Sequence, residues 1–124
     1  MADAKQVVRD FCGAWERLDK AAILDAFTDD AVYHNMPMAP ATGKDQISAL
    51  LDIIFAQASD AVKFDIKHIV AEGDVVLTER VDTFTTGDRQ IRLDVMGTFE
   101  LRGGKIAAWR DFFDMAQWTK QAGG

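Results

Sequence analysis

The stretch from Val75 to Gly104, VVLTERVDTFTTGDRQIRLDVMGTFELRGG, alternates apolar and polar residues in two runs, Val75 to Thr85 and Ile91 to Leu101, parted by Thr86-Gly87-Asp88. A period of two between glycine-bearing turns is the pattern of a half-buried β-hairpin. Just upstream, Val62-Phe64-Ile66 alternates in the same way and leads into the hairpin through Gly73-Asp74. Downstream, Arg102-Gly103-Gly104 turns into a last strand, Lys105 to Asp114. Four antiparallel strands joined by tight turns are expected to form a meander.

The first half of the chain has a different period. Val7, Val8, Phe11, Cys12, Trp15 and Leu18 recur at three- and four-residue steps, which predicts a first helix with Asp3 as its cap. Ala21, Ile23, Leu24 and Phe27 supply the stripe of a second, short helix, ended by Thr28-Asp29-Asp30 ahead of a short strand, Ala31 to Asn35. Both prolines lie in Met36-Pro37-Met38-Ala39-Pro40, a loop that cannot continue a strand's ladder. Ile47, Leu50, Leu51, Ile54 and Phe55 mark a third helix from Lys44 to about Gln57.

Helices followed by a strongly bent sheet describe an α+β domain over residues 1–124, a half-cone of mixed, largely antiparallel sheet closed by the N-terminal helices around an apolar pocket. Alternation gives the pocket's lining as Phe84, Leu93, Val95 and Phe113 from the strands, with Trp15, Ile54 and Trp118 from helices. Such a lining suits a small nonpolar molecule oriented by a few polar groups.

Composition excludes several classes. The 124 residues suit one domain, and 48% hydrophobic with 27% charged residues is ordinary for a globular protein. Twenty acidic against 14 basic residues, net charge −6, with the basic residues scattered, leaves no field to attract nucleic acid. The single cysteine, Cys12, forms no internal disulfide and sits among Val8, Phe11 and Trp15 as a small buried residue. The charged start, Met1 to Lys5, lacks a signal-type apolar core and no segment has the length of a membrane span, so the cytoplasm is the expected compartment. His34 and His68 lack metal-ligand spacing and Gly103-Gly104 belongs to a hairpin, so neither a metal nor a cofactor is expected.

Against this background three ionisable residues stand out. Arg80 and Asp82 share a strand face with Phe84, and Asp111 shares one with Trp109 and Phe113. Charge in aromatic surroundings costs free energy unless the groups pair, and two acids in one environment have their pKa values pushed apart. One acid protonated and one ionised is the requirement for coupled acid–base chemistry. Tyr33 and Asn35, alternate residues of the early strand, add a phenol and an amide able to orient a water molecule. By the same alternation His34, Arg92, Asp94, Arg110 and Asp114 face away from this group. Each site residue has a plain structural reading when taken alone: a buried ion pair, a solvated strand-end acid, a core tyrosine, a turn asparagine. Five together on one pocket read as a site.

These residues resemble the limonene-1,2-epoxide hydrolase family. The similarity runs through Tyr33-His34-Asn35-Met36-Pro37 with Gly43-Lys44-Asp45, through Thr78-Glu79-Arg80-Val81-Asp82, and through Gly97 to Leu101 and Gly104 to Asp114, and so covers most of the chain. The resemblance implies the curved-sheet cone also found in ketosteroid isomerase and nuclear transport factors, a homodimer, and one-step hydration of an epoxide without metal or covalent intermediate. It further implies Asp111 as general base on a water held by Tyr33 and Asn35, Asp82 as general acid, and Arg80 as the bridge between the two acids. The expected partners are water and a small hydrophobic epoxide, cyclic or terpene-like. The rival readings are a ketosteroid-isomerase-like proton shuttle, disfavoured because Arg80 should lower both acids' pKa values, and a noncatalytic ligand-binding or dimerisation module on the same fold.

Overall fold

The computed structural model describes residues 3–122. Its elements are α1 (Ala4–Glu16), α2 (Lys20–Asp25), β1 (Phe27–Asn35), β2 (Ala41–Thr42), α3 (Gly43–Ala56), β3 (Ala61–Glu72), β4 (Val75–Thr86), β5 (Arg89–Arg102), β6 (Lys105–Phe112) and α4 (Met115–Ala122). The six strands form one sheet in the order β2-β1-β6-β5-β4-β3. β3 to β6 are the expected antiparallel meander, and β1 pairs parallel to β6, which makes the sheet mixed. Irregularities between Ile66 and His68 and between Glu100 and Leu101 interrupt the ladders, as bulges do where a sheet must curl.

The helices cover the concave face. Val8, Phe11, Cys12 and Trp15 of α1 are buried, and Phe11 meets Phe27, Phe99 and Trp109 edge to face with ring centres 5.0–6.1 Å apart. Glu16 accepts a hydrogen bond from the Phe64 amide, 3.0 Å, which ties α1 to the edge strand β3. Burial pushes the Cys12 thiol up to about 12, so it stays protonated and packs as a small apolar group.

The structure corrects several expectations. Phe27 belongs to β1 and not to the second helix, which ends at Asp25; Thr28-Asp29-Asp30 lie within the strand instead of stopping a helix. A slip in register between Phe27 and Val32 explains the misreading. Five steps along β1 oppose two along β6, so Phe27 and Thr28 are both buried, Asp29 and Asp30 both exposed, and alternation fails locally. Asp3 stands at the start of α1, but its side chain makes no capping bond; its backbone carbonyl accepts from Val7. Beyond the proline loop, Ala41-Thr42 adds a two-residue strand to the edge of β1.

Closure of the pocket is not left to the N-terminal helices alone. β6 pairs with β5 only as far as Met96↔Phe112, which leaves Arg89 to Val95 without a strand neighbour on that side. α4 lies along this edge. Gln117 accepts from the Asp94 amide at 3.0 Å, and Gln121 accepts from the Arg92 amide and donates to its carbonyl, each at 2.7 Å. Glutamines one helical turn apart thus stand in for the missing strand, satisfying an edge that would otherwise be open. The same docking carries Met115 and Trp118 over the pocket, with Trp118 edge-on to Phe84 at 5.6 Å.

Candidate active site

Between the sheet and α1, α3 and α4 lies a cavity of about 500 Å3. All seven residues expected to line it do so: Trp15, Ile54, Phe84, Leu93, Val95, Phe113 and Trp118. Its polar lining includes Tyr33, Asn35, Asp82 and Asp111. Arg80 is not at the cavity surface; it lies behind the two carboxylates.

The sheet's register assembles this end of the cavity. On the β4–β5 ladder Thr78 faces Gly97, Arg80 faces Val95 and Asp82 faces Leu93. Gly97 in turn faces Asp111 on β6, and the parallel β1–β6 ladder sets Tyr33 beside Trp109 and Asn35 beside Asp111. Residues at alternate positions point to one face, so three strands, β1, β4 and β6, deliver polar side chains to one place across the apolar and glycine positions of β5.

Arg80 is wholly enclosed, its side chain 0% exposed, and every one of its five N–H groups has an acceptor. Nε and Nη2 donate to Asp82 Oδ1 and Oδ2 at 3.0 and 2.7 Å. Nη1 and Nη2 donate to Asp111 Oδ1 and Oδ2 at 3.2 and 2.7 Å. The fifth bond runs from Nη1 to Thr78 Oγ1, 3.1 Å. The guanidinium carbon also stands 4.9 Å from the centre of the Phe64 ring. Burial acts against charge on Arg80, but the Asp111 and Asp82 carboxylates outweigh it and hold its pKa well above the ordinary value. It is a permanent cation with no donor left for a ligand.

The acids are held differently. Burial pushes Asp82 up from the usual carboxylate range to about 6, with Asp111 adding to the rise and Arg80 opposing it. Arg80 lowers the pKa of Asp82 as expected, but desolvation outweighs it and the net shift is upward. Asp111 Oδ1 additionally accepts from the Trp109 indole N–H at 2.7 Å. Two carboxylates and one guanidinium sharing a single proton are neutral overall, the state an apolar enclosure favours. Asp82, raised to about 6 by burial, takes up that proton as the pH falls through this value.

Tyr33 stacks on Trp109, ring centres 4.2 Å apart and 5° from parallel, and is 3% exposed. Burial first, then the Asp111 charge, raises its pKa, so it remains a neutral phenol. Asn35 is buried beside it, and the Met36 amide donates to the Asp111 carbonyl at 2.9 Å, extending the β1–β6 ladder past the site. His34 turns away and bonds the Met38 carbonyl; Arg92, Asp94 and Asp114 are exposed, and Arg110 pairs with Glu100 at 2.6 Å on the other face. Among the described residues no grouping of His, Cys, Asp and Glu could hold a metal ion, and no helix is long and apolar enough to cross a membrane.

Three contributors escaped the sequence reading. Trp109 enters the sequence reading only as a residue on the face of Asp111, and the same spacing brings its indole N–H to that carboxylate. Thr78 stands two residues before Arg80 and caps its last donor. Gly97 is the third, and its signal is a lone glycine inside an alternating strand, which marks a close approach. A Cβ there would stand 2.5 Å from Arg80 Nη1, 2.6 Å from Asp111 Oδ1 and 3.0 Å from Thr78 Oγ1. The Arg80–Asp111 pair therefore lies across β5 in the space that any side chain at 97 would fill. Gly97→Ala is expected to cost about 1–3 kcal/mol in urea unfolding and to weaken whatever chemistry the pair performs. Wild-type stability in that variant would contradict the packing described.

A curved-sheet cone enclosing two cavity-facing carboxylates on one buried guanidinium defines a class, a cone-fold protein with an acid–base site. The chain belongs to the limonene-1,2-epoxide hydrolase family, whose catalytic-domain model matches residues 2–123. It is 34% identical over 108 residues to the epoxide hydrolase EphG of Mycobacterium tuberculosis, covering 87% of this chain and 71% of that protein. The structure of an epoxide hydrolase of the same type from M. tuberculosis superposes with a TM-score of 0.79 at 32% identity, over 95% of this chain and 87% of that one. An NTF2-like protein of Burkholderia pseudomallei reaches a TM-score of 0.84 at 18% identity, over 98% of each chain, which shows the shared cone fold alone.

Proposed function

We propose that the protein hydrates a hydrophobic epoxide, cyclic or terpene-like, to a vicinal diol by one-step general acid–base catalysis. The observation that carries this reading is that Asp82 and Asp111 both line the cavity while Arg80 stands behind them. Both acids therefore face a bound substrate, and the arginine sets their charge and orientation. Water held by Tyr33 and Asn35 loses a proton to Asp111 as its oxygen attacks an epoxide carbon. The carbon–oxygen bond on the opposite side breaks, and the departing oxygen takes the proton of Asp82. The product has gained one water, Asp111 is left protonated and Asp82 ionised, and proton exchange with cavity water resets them. Each of the two groups is expected to contribute about 10²–10⁴-fold.

Turnover of limonene oxide and cyclohexene oxide in ¹⁸O water tests the reading. One labelled oxygen per diol is expected; absence of turnover, with apolar ligands still bound, would return the protein to the noncatalytic class. The pH profile supplies a second prediction. A general acid must be protonated, so kcat/KM should fall as pH rises through about 6, the value to which burial pushes Asp82. The same shift bears on stability. A carboxyl whose pKa is raised on folding stabilises the native state below its unfolded value, and that contribution is lost as pH rises through the folded one. A flat profile from pH 5 to 8 would remove Asp82 from the acid's role.

The reading includes a homodimer formed through the convex sheet face. Val70 and Leu77 are cross-strand neighbours there, as are Met96 and Phe112, and all four are exposed, Met96 by 53% and Phe112 by 46%. Two exposed apolar pairs on one sheet face are the reason for placing the contact there. Met96→Glu, which would put an unpaired charge into that contact from both copies, should yield monomers in sedimentation; a wild type monomeric at micromolar concentration would refute the dimer.

A further inference from the structure

The cavity has a second polar end, built around Arg89. This residue opens β5 and shares its inward face with Ile91, Leu93 and Val95. It lines the same cavity as the two acids. Its hydrogen bonds go to Gln57 Oε1 and to the Ala122 carbonyl, both neutral acceptors.

Among the described residues Arg89 has no carboxylate within ion-pair distance. Lys5, Arg9, Arg17, Lys63, Arg92 and Lys120 also lack one, but all six are exposed, whereas Arg89 is half-buried. In a chain of 20 acidic and 14 basic residues, a sheltered cation without an anion is out of keeping with its surroundings. Unlike Arg80, it has N–H donors to spare.

Distance and wall chemistry indicate what reaches it. Asp82 faces Leu93 on the ladder, and Arg89 is four residues from Leu93, roughly 13 Å along the strand. The wall between carries Phe84 and Leu93, overlain by Trp118. A cavity of about 500 Å3 holds a drug-sized molecule, so there is room beyond the reacting end.

We infer that Arg89, assisted by the Gln57 amide, receives a carboxylate at the far end of an elongated apolar epoxide whose ring lies between Asp82 and Asp111. The guanidinium fork matches a carboxylate in two parallel bonds. A phosphate dianion would call for further cations, and among the described residues the cavity lining has none besides Arg89. The inference rests on the hydration reaction proposed above and adds to it the class of substrate.

The test compares an epoxy carboxylic acid with its methyl ester across short, medium and long chains. Wild type should prefer the acid by about ten- to a hundredfold in kcat/KM at one chain length, the yield of a charge-assisted hydrogen-bonded pair. In Arg89→Met that ratio should fall towards one, and Arg89→Lys should restore part of it. Alongside, displacement of an apolar fluorophore measures binding of a saturated carboxylic acid against the primary alcohol of equal length. Tighter, salt-sensitive binding of the acid by wild type supports the site even where Arg89→Met fails to fold. Hydration with an acid-to-ester ratio near one, or equal affinity for acid and alcohol, overturns the assignment and leaves the hydrolase reading standing. Preference for the acid in binding, with no epoxide turned over, keeps the head-group site and overturns the hydrolase. A lowered Tm in Arg89→Met with an unchanged ratio would make Arg89 only a clamp between α3 and α4.

Discussion

Asp111→Asn is expected to lower the rate of diol formation by about 10³-fold or more while the chain still folds. The size follows from a double loss. Asparagine has no basic oxygen for the attacking water, which removes a group expected to contribute about 10²–10⁴-fold. It also leaves Arg80 with a single carboxylate. Asp111 adds to the raised pKa of Asp82 while Arg80 lowers it, so loss of the Asp111 charge favours ionised Asp82 and depletes the proposed general acid. Either orientation of the new amide turns an NH2 group towards an Arg80 donor, because Oδ1 and Oδ2 both accept from Arg80. A modest loss of stability therefore accompanies the loss of rate. Single-turnover measurements with wild type and variant decide the matter; residual hydration above a tenth of wild type would remove Asp111 from the base's role.

Arg80→Ala should have the largest effect on stability. It removes the counter-charge of two carboxylates that are themselves nearly enclosed, their side chains 3% and 6% exposed. Breaking a buried ion pair by deleting one partner typically costs about 3–5 kcal/mol. For a chain of this size that is a Tm lowered by about 10 °C or more at pH 7. The sign of the pH dependence is a sharper check. Without Arg80 nothing opposes the upward push of burial on Asp82, and a neutral carboxyl is tolerated in an apolar site, so the deficit should shrink from pH 7 to pH 5. Equal melting temperatures at pH 7 would mean that the guanidinium neutralises nothing.

Legibility followed the regularity of the backbone. Thr78 to Phe84 and Ile91 to Val95 alternate without interruption, and their inward residues could be named from the sequence. Trp109 and Asp111 were placed on one face for the same reason. Where the chain departs from strict period two, reading failed. The bulge after Phe27 let a strand pass for the end of a helix, and the two residues of β2 carry no pattern at all. The role of α4 was hidden for another reason: Gln117 and Gln121 act through backbone groups of β5 whose exposed edge becomes evident only when β6 is seen to stop short. The state of Asp82 depended on burial, which composition does not measure; a neighbouring arginine suggested a lowered pKa and desolvation reversed it.

The parallel pairing of β1 with β6 has a consequence in time. Tyr33 and Asn35 reach Trp109 and Asp111 only when a strand from early in the chain closes onto one from its end, the longest loop this sheet has to form. Loop closure costs entropy before any contact rewards it, so such pairings form late in folding as a rule. The meander can hold Arg80, Asp82 and Asp111 on its own, but Tyr33 and Asn35, proposed above to hold the water, join them in the closing step. Catalytic competence is then a clock for that step. During refolding, activity should return with the slowest phase, together with the fluorescence change of Trp109 as Tyr33 stacks on it and after strand content has largely recovered.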